Sequence, residues 1–142
     1  GSLTDIDWEL DGEVDTSFFE AFDFAFLGDI HKKQFLGQHS RIAYCGSTIQ
    51  QNFGEVPEKG YLLWEIDDKD AFDVSFHEVE NKSQFVTIEW KDNVQNTLDH
   101  ADIPTGSRVR VQSKRPIQQT SWLHLRNFMK ENYDVGGVVW LQ

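Results

Sequence analysis

The sequence predicts an α+β fold: a strand-rich first part, residues 1–92, followed by a small α/β unit, residues 93–142. Three observations carry this. Phe72 to Val79 alternates, with Phe72, Val74 and Phe76 on one side and Asp73, Ser75 and His77 on the other, which is the period of a half-buried strand. Short apolar runs at 22–27, 41–45, 61–66 and 84–90 are separated by turn residues such as Gly28, Gly46-Ser47 and Asp67-Asp68-Lys69-Asp70. After a polar stretch, 91–106, the pattern changes to strand, helix, strand, the order of a small α/β layer.

Taken in order, residues 3–15 are acidic with few apolar anchors and read as an exposed lead-in or a solvated strand. Ser17 is placed to cap a short helix carrying Phe18, Phe19 and Phe22. Phe22 to Leu27 reads as a buried strand, which Gly28 ends by letting the backbone turn. Arg41 to Cys45 is a second strand, closed by Gly46-Ser47, and 47–59 is a polar loop containing Pro57. Tyr61–Ile66 and Phe72–Val79 form a hairpin-like pair, and Gln84–Trp90 follows as a further strand. The segment 91–106, with Asp99, Asp102, Pro104 and Gly106, is expected to be the linker between domains. Beyond it, Ser107–Ser113 alternates, with Val109 and Val111 inward and Arg108, Arg110 and Gln112 outward. Ser121–Asn132 is a helix with Trp122, Leu125, Phe128 and Met129 on one face, and Gly136-Gly137 opens a last strand, Val138–Leu141.

Composition narrows the classes. Eleven Phe and five Trp supply a real core and exclude a disordered chain. No apolar run approaches the length that crosses a bilayer, so no membrane partner is expected. Cys45 is the only cysteine, which excludes a disulfide framework and points to a reducing, cytoplasmic compartment. The net charge of −11 argues against a protein that coats nucleic acid generally. Its distribution matters more: residues 1–31 hold nine acids and no Lys or Arg, whereas 101–142 hold six bases against three acids. A net-acidic chain can still grip a polyanion through one basic face or through metal ions.

The residues after the Phe-rich strand carry the chemistry. Asp29 and His31 sit two apart on a turn that a strand holds in place, and a carboxylate and an imidazole together suit a divalent transition ion. Two ligands are too few for a stable site, which usually takes three or four protein groups. Weak or no metal binding is therefore expected from this chain alone, and any binding weakens as the imidazole protonates. Lys32, Lys33 and Gln34 follow directly and read either as phosphate contacts beside the metal loop or as a solvated turn. Arg108 and Arg110 share one strand face, with Lys114 and Arg115 after it; they form either a strip for DNA backbone or the ordinary charged side of a sheet. The Asp99-His100-Asp102 group has the residue types to hold an ion but reads rather as a flexible acidic turn, and no Gly-rich phosphate loop or cysteine zinc pattern exists.

Read together, three ordered segments resemble the SbcD family of DNA double-strand-break repair nucleases, within the calcineurin-like metallophosphoesterases. Phe22-Asp23-Phe24-Ala25-Phe26-Leu27-Gly28-Asp29-Ile30-His31-Lys32-Lys33-Gln34 is similar to the family's FDYVALGHIHKPQ segment. Ile42-Ala43-Tyr44-Cys45-Gly46-Ser47-Thr48-Ile49-Gln50 resembles IAYPGSPIQ. Phe53-Gly54-Glu55 and Lys59-Gly60-Tyr61-Leu62-Leu63 resemble FGE and KGFLL. Two positions depart: Asp29 stands where the family has the first His of G-H-x-H, and Cys45 replaces a Pro.

The resemblance implies that 1–92 supplies the C-terminal strands of a metallophosphoesterase β-sandwich and 93–142 an α/β cap domain. The family's D-x-H, G-D-x-x-D, G-N-H-[DE] and upstream His motifs are absent from this sequence, so the chain looks like the C-terminal portion of such a nuclease. In the whole enzyme it implies two Mn²⁺ ions, which polarise the phosphoryl oxygens and generate hydroxide for in-line attack. Asp29 would ligate one ion and His31 the other. Lys32, Lys33, Gln34, Arg108 and Arg110 would touch DNA. A coiled-coil ATPase subunit of the SbcC type and a second copy of the nuclease are the implied partners. A non-catalytic binding or scaffold domain that keeps the terminal half of the fold is the alternative.

Overall fold

The computed structural model describes residues 2–3, 9–10 and 16–142. It is α+β, with strands β1 (Ser2–Leu3), β2 (Glu9–Leu10), β3 (Ala25–Leu27), β4 (Gln34–Leu36), β5 (Ile42–Tyr44), β6 (Gly60–Asp68), β7 (Ala71–Glu78), β8 (Phe85–Glu89), β9 (Arg108–Gln112) and β10 (Gly137–Leu141), and helices α1 (Val94–Asp99) and α2 (Gln119–Tyr133). The acidic stretch expected over 3–15 lies mostly outside the described residues; β1 and β2 pair antiparallel within it. The helix expected at Ser17 is a 3₁₀ turn, Thr16–Ala21. Among the described residues no helix is long and apolar enough to cross a membrane.

The chain divides into two compact units, one of residues 1–50 with 54–80, the other of 51–53 with 81–142. The division expected at 92/93 therefore moves to the Glu80/Asn81 turn. The reason is the ladder of β8, which pairs in parallel with β9 from Phe85↔Arg108 to Glu89↔Gln112 and so joins the second unit.

In the first unit β5 lies between β3, parallel to it, and β4, antiparallel. β6 and β7 form a separate antiparallel hairpin closed by Lys69-Asp70, in which Leu62, Trp64 and Ile66 stand opposite Phe76, Val74 and Phe72. The expected alternation of β7 holds in part: Phe72, Val74 and Phe76 are half-buried and Asp73 and His77 exposed, but Ser75 is half-buried too. Trp64 ties hairpin to sheet, its ring 5.0 Å from Phe26, 5.9 Å from Phe24, 5.8 Å from Phe72 and 6.1 Å from Phe35. The apolar packing is nonetheless open, for Phe26 is 61% and Phe22 60% exposed, so the strand 22–27 is not the buried strand its composition suggests. Ala43 is this unit's one buried hydrophobic among the described residues, whereas the polar Gln50, Glu55 and Lys59 of the same unit are also buried. The interior of this unit is largely polar.

The second unit is a parallel three-stranded sheet with β9 in the middle. Parallel neighbours need crossovers, and α1 and α2 supply them. α1 falls in the stretch expected to be a linker. Asn93 starts it, its Oδ1 accepting the Asn96 N–H at 2.9 Å, and Thr97 and Leu98 are buried. α2 buries Leu125 and Met129 completely against Val109 and Val111, while Phe128, expected on the same face, sits at its margin, 36% exposed. The helix ends at Asp134, which adopts the left-handed conformation (φ 48°). Trp140 of β10 donates its Nε1–H to Ser113 Oγ at 2.8 Å, so its buried polar edge is satisfied. Leu125→Ala should lower the unfolding free energy by about 2–5 kcal/mol through the cavity it leaves, measurable by chemical denaturation.

A candidate metal loop and a basic sheet face

The loop after β3 is built by backbone conformation. Asp29, not Gly28, takes the left-handed residue of the turn (φ 76°), a conformation Asp accepts more readily than most residues. Asp29 is exposed and the His31 side chain is 36% exposed. The loop rests on Gly46, whose φ of 78° favours glycine and whose added Cβ would lie 2.8 Å from the His31 carbonyl oxygen and 3.0 Å from the Lys33 nitrogen. Gly46→Ala should therefore push the loop outward and destabilise the chain by more than about 1 kcal/mol, seen as a lower denaturation midpoint.

The binding of His31 is the main feature the sequence reading missed. Its Nδ1 lies 2.9 Å from Glu55 Oε1. The other carboxylate oxygen, Oε2, lies 3.0 Å from Lys59 Nζ. Lys59 Nζ in turn donates to the His31 carbonyl at 3.0 Å, and the Ser47 N–H donates to the same oxygen at 3.2 Å. The Glu55 and Lys59 side chains are 1% and 3% exposed. Their backbones are pinned as well: Gln50 Nε2 donates to the Glu55 carbonyl at 2.8 Å, and the Val79 N–H to the Lys59 carbonyl at 2.8 Å. Gly60 packs its Cα directly against β7, since a Cβ there would fall 2.0 Å from the His77 carbonyl oxygen. Glu55 and Lys59 were visible only as parts of the FGE and KG motifs in a polar loop; the one local signal was their i, i+4 spacing across Pro57.

A shallow cleft of about 130 Å³ beside this group is lined by His31, Lys32, Lys33, Gly46, Ser47 and Lys59, among others. Ser47 Oγ is buried there with no hydrogen-bond partner among the described residues. Lys33 Nζ sits 3.5 Å above the Phe76 ring, so its charge is steered toward the hairpin. Gln34 lies on β4 and its Nε2 donates to the Lys32 carbonyl at 3.3 Å. Asp29, His31, Lys32 and Lys33 thus share one loop, and Gln34 opens the strand that follows it. Among the described residues no cluster of three or more His, Cys, Asp and Glu stands ready to hold a metal ion.

Arg108 and Arg110 belong to the second unit, on the face of β9 opposite the helices. Both lie on aromatic rings. Arg108 Cζ is 5.1 Å from the centre of Phe85 and Arg110 Cζ 4.9 Å from that of Phe53, while the two rings meet edge to face at 4.9 Å. Arg110 Nε also donates to Thr87 Oγ1 at 3.1 Å. Each guanidinium lies over the ring of an aromatic residue of the same unit. This unit carries eight Lys and Arg against six Asp and Glu, the first unit five against eighteen, so the basic face stands on the less acidic half. His100 is engaged in the end of α1, its Nδ1 2.8 Å from the Asn96 carbonyl oxygen.

No protein-family model matches the chain. It is 31% identical over 138 residues to a protein of Acanthamoeba polyphaga mimivirus described as uncharacterized protein R555, a match that covers 96% of this chain and 10% of the viral protein. The chain therefore spans about a tenth of the length of this relative.

Proposed function

We propose that this chain is the C-terminal part of a Mn²⁺-dependent DNA nuclease of the SbcD kind, hydrolysing phosphodiester bonds in DNA end processing and recombination. The observation that carries the reading is the anchoring of His31. A buried carboxylate–ammonium pair holds both its ring and its carbonyl at the end of a strand, which is how proteins orient an imidazole that must bind an ion. The donors fit Mn²⁺ in kind, a carboxylate from Asp29 and an imidazole nitrogen from His31. They are two of the ligands such a site needs, the others lying elsewhere in the whole protein. When bound, the metal supplies Lewis acidity and an activated water. This chain's own residues orient the imidazole and present the carboxylate; Lys32, Lys33 and Gln34 border the loop where a phosphate would arrive.

The basic face of β9 is the DNA-positioning surface in this reading. Arginines braced on Phe53 and Phe85 lose little further freedom when they meet a phosphate or stack on a base. Arg108→Ala with Arg110→Ala should weaken duplex binding by the full-length protein about tenfold or more at moderate salt and flatten its salt dependence, as read by fluorescence anisotropy across a salt series. Partners of the whole protein would be DNA, a coiled-coil ATPase and a second copy. The test of the reading is hydrolysis of linear duplex DNA by the full-length protein with Mn²⁺, expected to cease on chelation. Full-length protein that binds DNA but never cleaves it would favour the second reading, a non-catalytic binding domain; the absence of a ready three-ligand cluster among the described residues is the observation on that side.

A further inference from the structure

We propose that Glu55, held by Lys59, fixes the His31 imidazole with its proton on Nδ1, so that Nε2 is the nitrogen left with a free lone pair. Glu55 and Lys59 are then positioning residues for His31. Four groups close a ring: His31 Nδ1 to Glu55 Oε1 at 2.9 Å, Glu55 Oε2 to Lys59 Nζ at 3.0 Å, and Lys59 Nζ back to the His31 carbonyl at 3.0 Å. An ionised carboxylate only accepts hydrogen bonds, so the nitrogen facing it must carry the proton. The Lys59 ammonium lies 3.0 Å from the second oxygen of that carboxylate, and both side chains are removed from water while His31 is not. A solvated histidine exchanges freely between its two neutral forms; this one is given a single form and a single direction. That leaves Nε2 to accept a proton or to bind an ion. The consequence for metal binding rests on the nuclease reading, whereas the tautomer does not.

The test is the nitrogen-15 spectrum of the His31 ring in the labelled chain at mildly alkaline pH, its signals assigned by their loss in His31→Asn. The expected result is a protonated, pyrrole-type Nδ1 and an unprotonated, pyridine-type Nε2. The reverse pattern, or two averaged nitrogens, would overturn the proposal. A second variant, Glu55→Gln with Lys59→Met, removes both charges together and leaves an amide able to donate or accept. In it the two ring nitrogens should move toward an average, and an unchanged spectrum would show that the ion pair does not set the tautomer. Mn²⁺ titration of the full-length protein separates this idea from the reading it deepens. A fixed Nδ1–H form with no Mn²⁺ bound overturns the nuclease reading alone. Bound Mn²⁺ with a mixed tautomer overturns the positioning role alone.

Discussion

Glu55→Ala should lower the unfolding free energy of the chain by about 3–5 kcal/mol, the usual result of removing one partner from a buried ion pair. The variant takes from the Lys59 ammonium, 3% exposed, the carboxylate that lies 3.0 Å from it. Removing that carboxylate from a buried ammonium is costly, and little compensating hydrophobic mass stands nearby, because Ala43 is the first unit's one buried apolar residue among those described. Replacing both members, Glu55→Leu with Lys59→Met, should cost clearly less than the single change, since the buried ammonium goes together with its carboxylate. Urea denaturation of the three proteins measures this. A single variant as stable as the parent would mean that Glu55 and Lys59 are hydrated rather than paired.

His31→Asn in the full-length protein should reduce Mn²⁺-dependent DNA hydrolysis by more than about a hundredfold, exceeding the loss that follows removal of a residue that merely supports a ligand. Its effect on stability should be small beside that of Glu55→Ala, because the ring is partly exposed and the pair it touches survives. Asp29→His makes the complementary case. It installs the family's imidazole at a position with φ of 76°, which His tolerates better than most residues, and should retain activity with a changed metal preference. Rates measured across Mn²⁺, Mg²⁺ and Co²⁺ distinguish the two substitutions. Equal activity of His31→Asn and the parent would remove His31 from the chemistry.

Much of the architecture is legible in the chain because strands and amphipathic helices announce themselves by period. β6 to β10 and α2 fall within a few residues of where alternation and the Leu125/Met129 spacing place them. α1 escapes because Val94–Asp99 is short and polar; its signals are the Asn93 cap and two apolar residues four apart, Val94 and Leu98. β4 escapes because three residues are too few for any period to show. The boundary is misplaced because strand composition cannot reveal which strand a strand will pair with, and β8 pairs forward across α1. At the site, Asp29 and His31 are visible as residue types, but the ring that holds His31 is not. Glu55 and Lys59 sit in a polar loop where charged residues are ordinarily solvated, and only the fold removes them from water. The arginine face was visible as alternation, while its aromatic bracing by Phe53, from a distant loop, was not.

Anomalous diffraction at the manganese edge from crystals of the full-length protein grown with Mn²⁺ tests the central idea most directly. The expected result is a manganese peak within bonding distance of His31 Nε2, with Glu55 on Nδ1 and the Asp29 carboxylate on the same ion or its neighbour. Strong manganese peaks elsewhere, or none, with both side chains turned to bulk water, would contradict it.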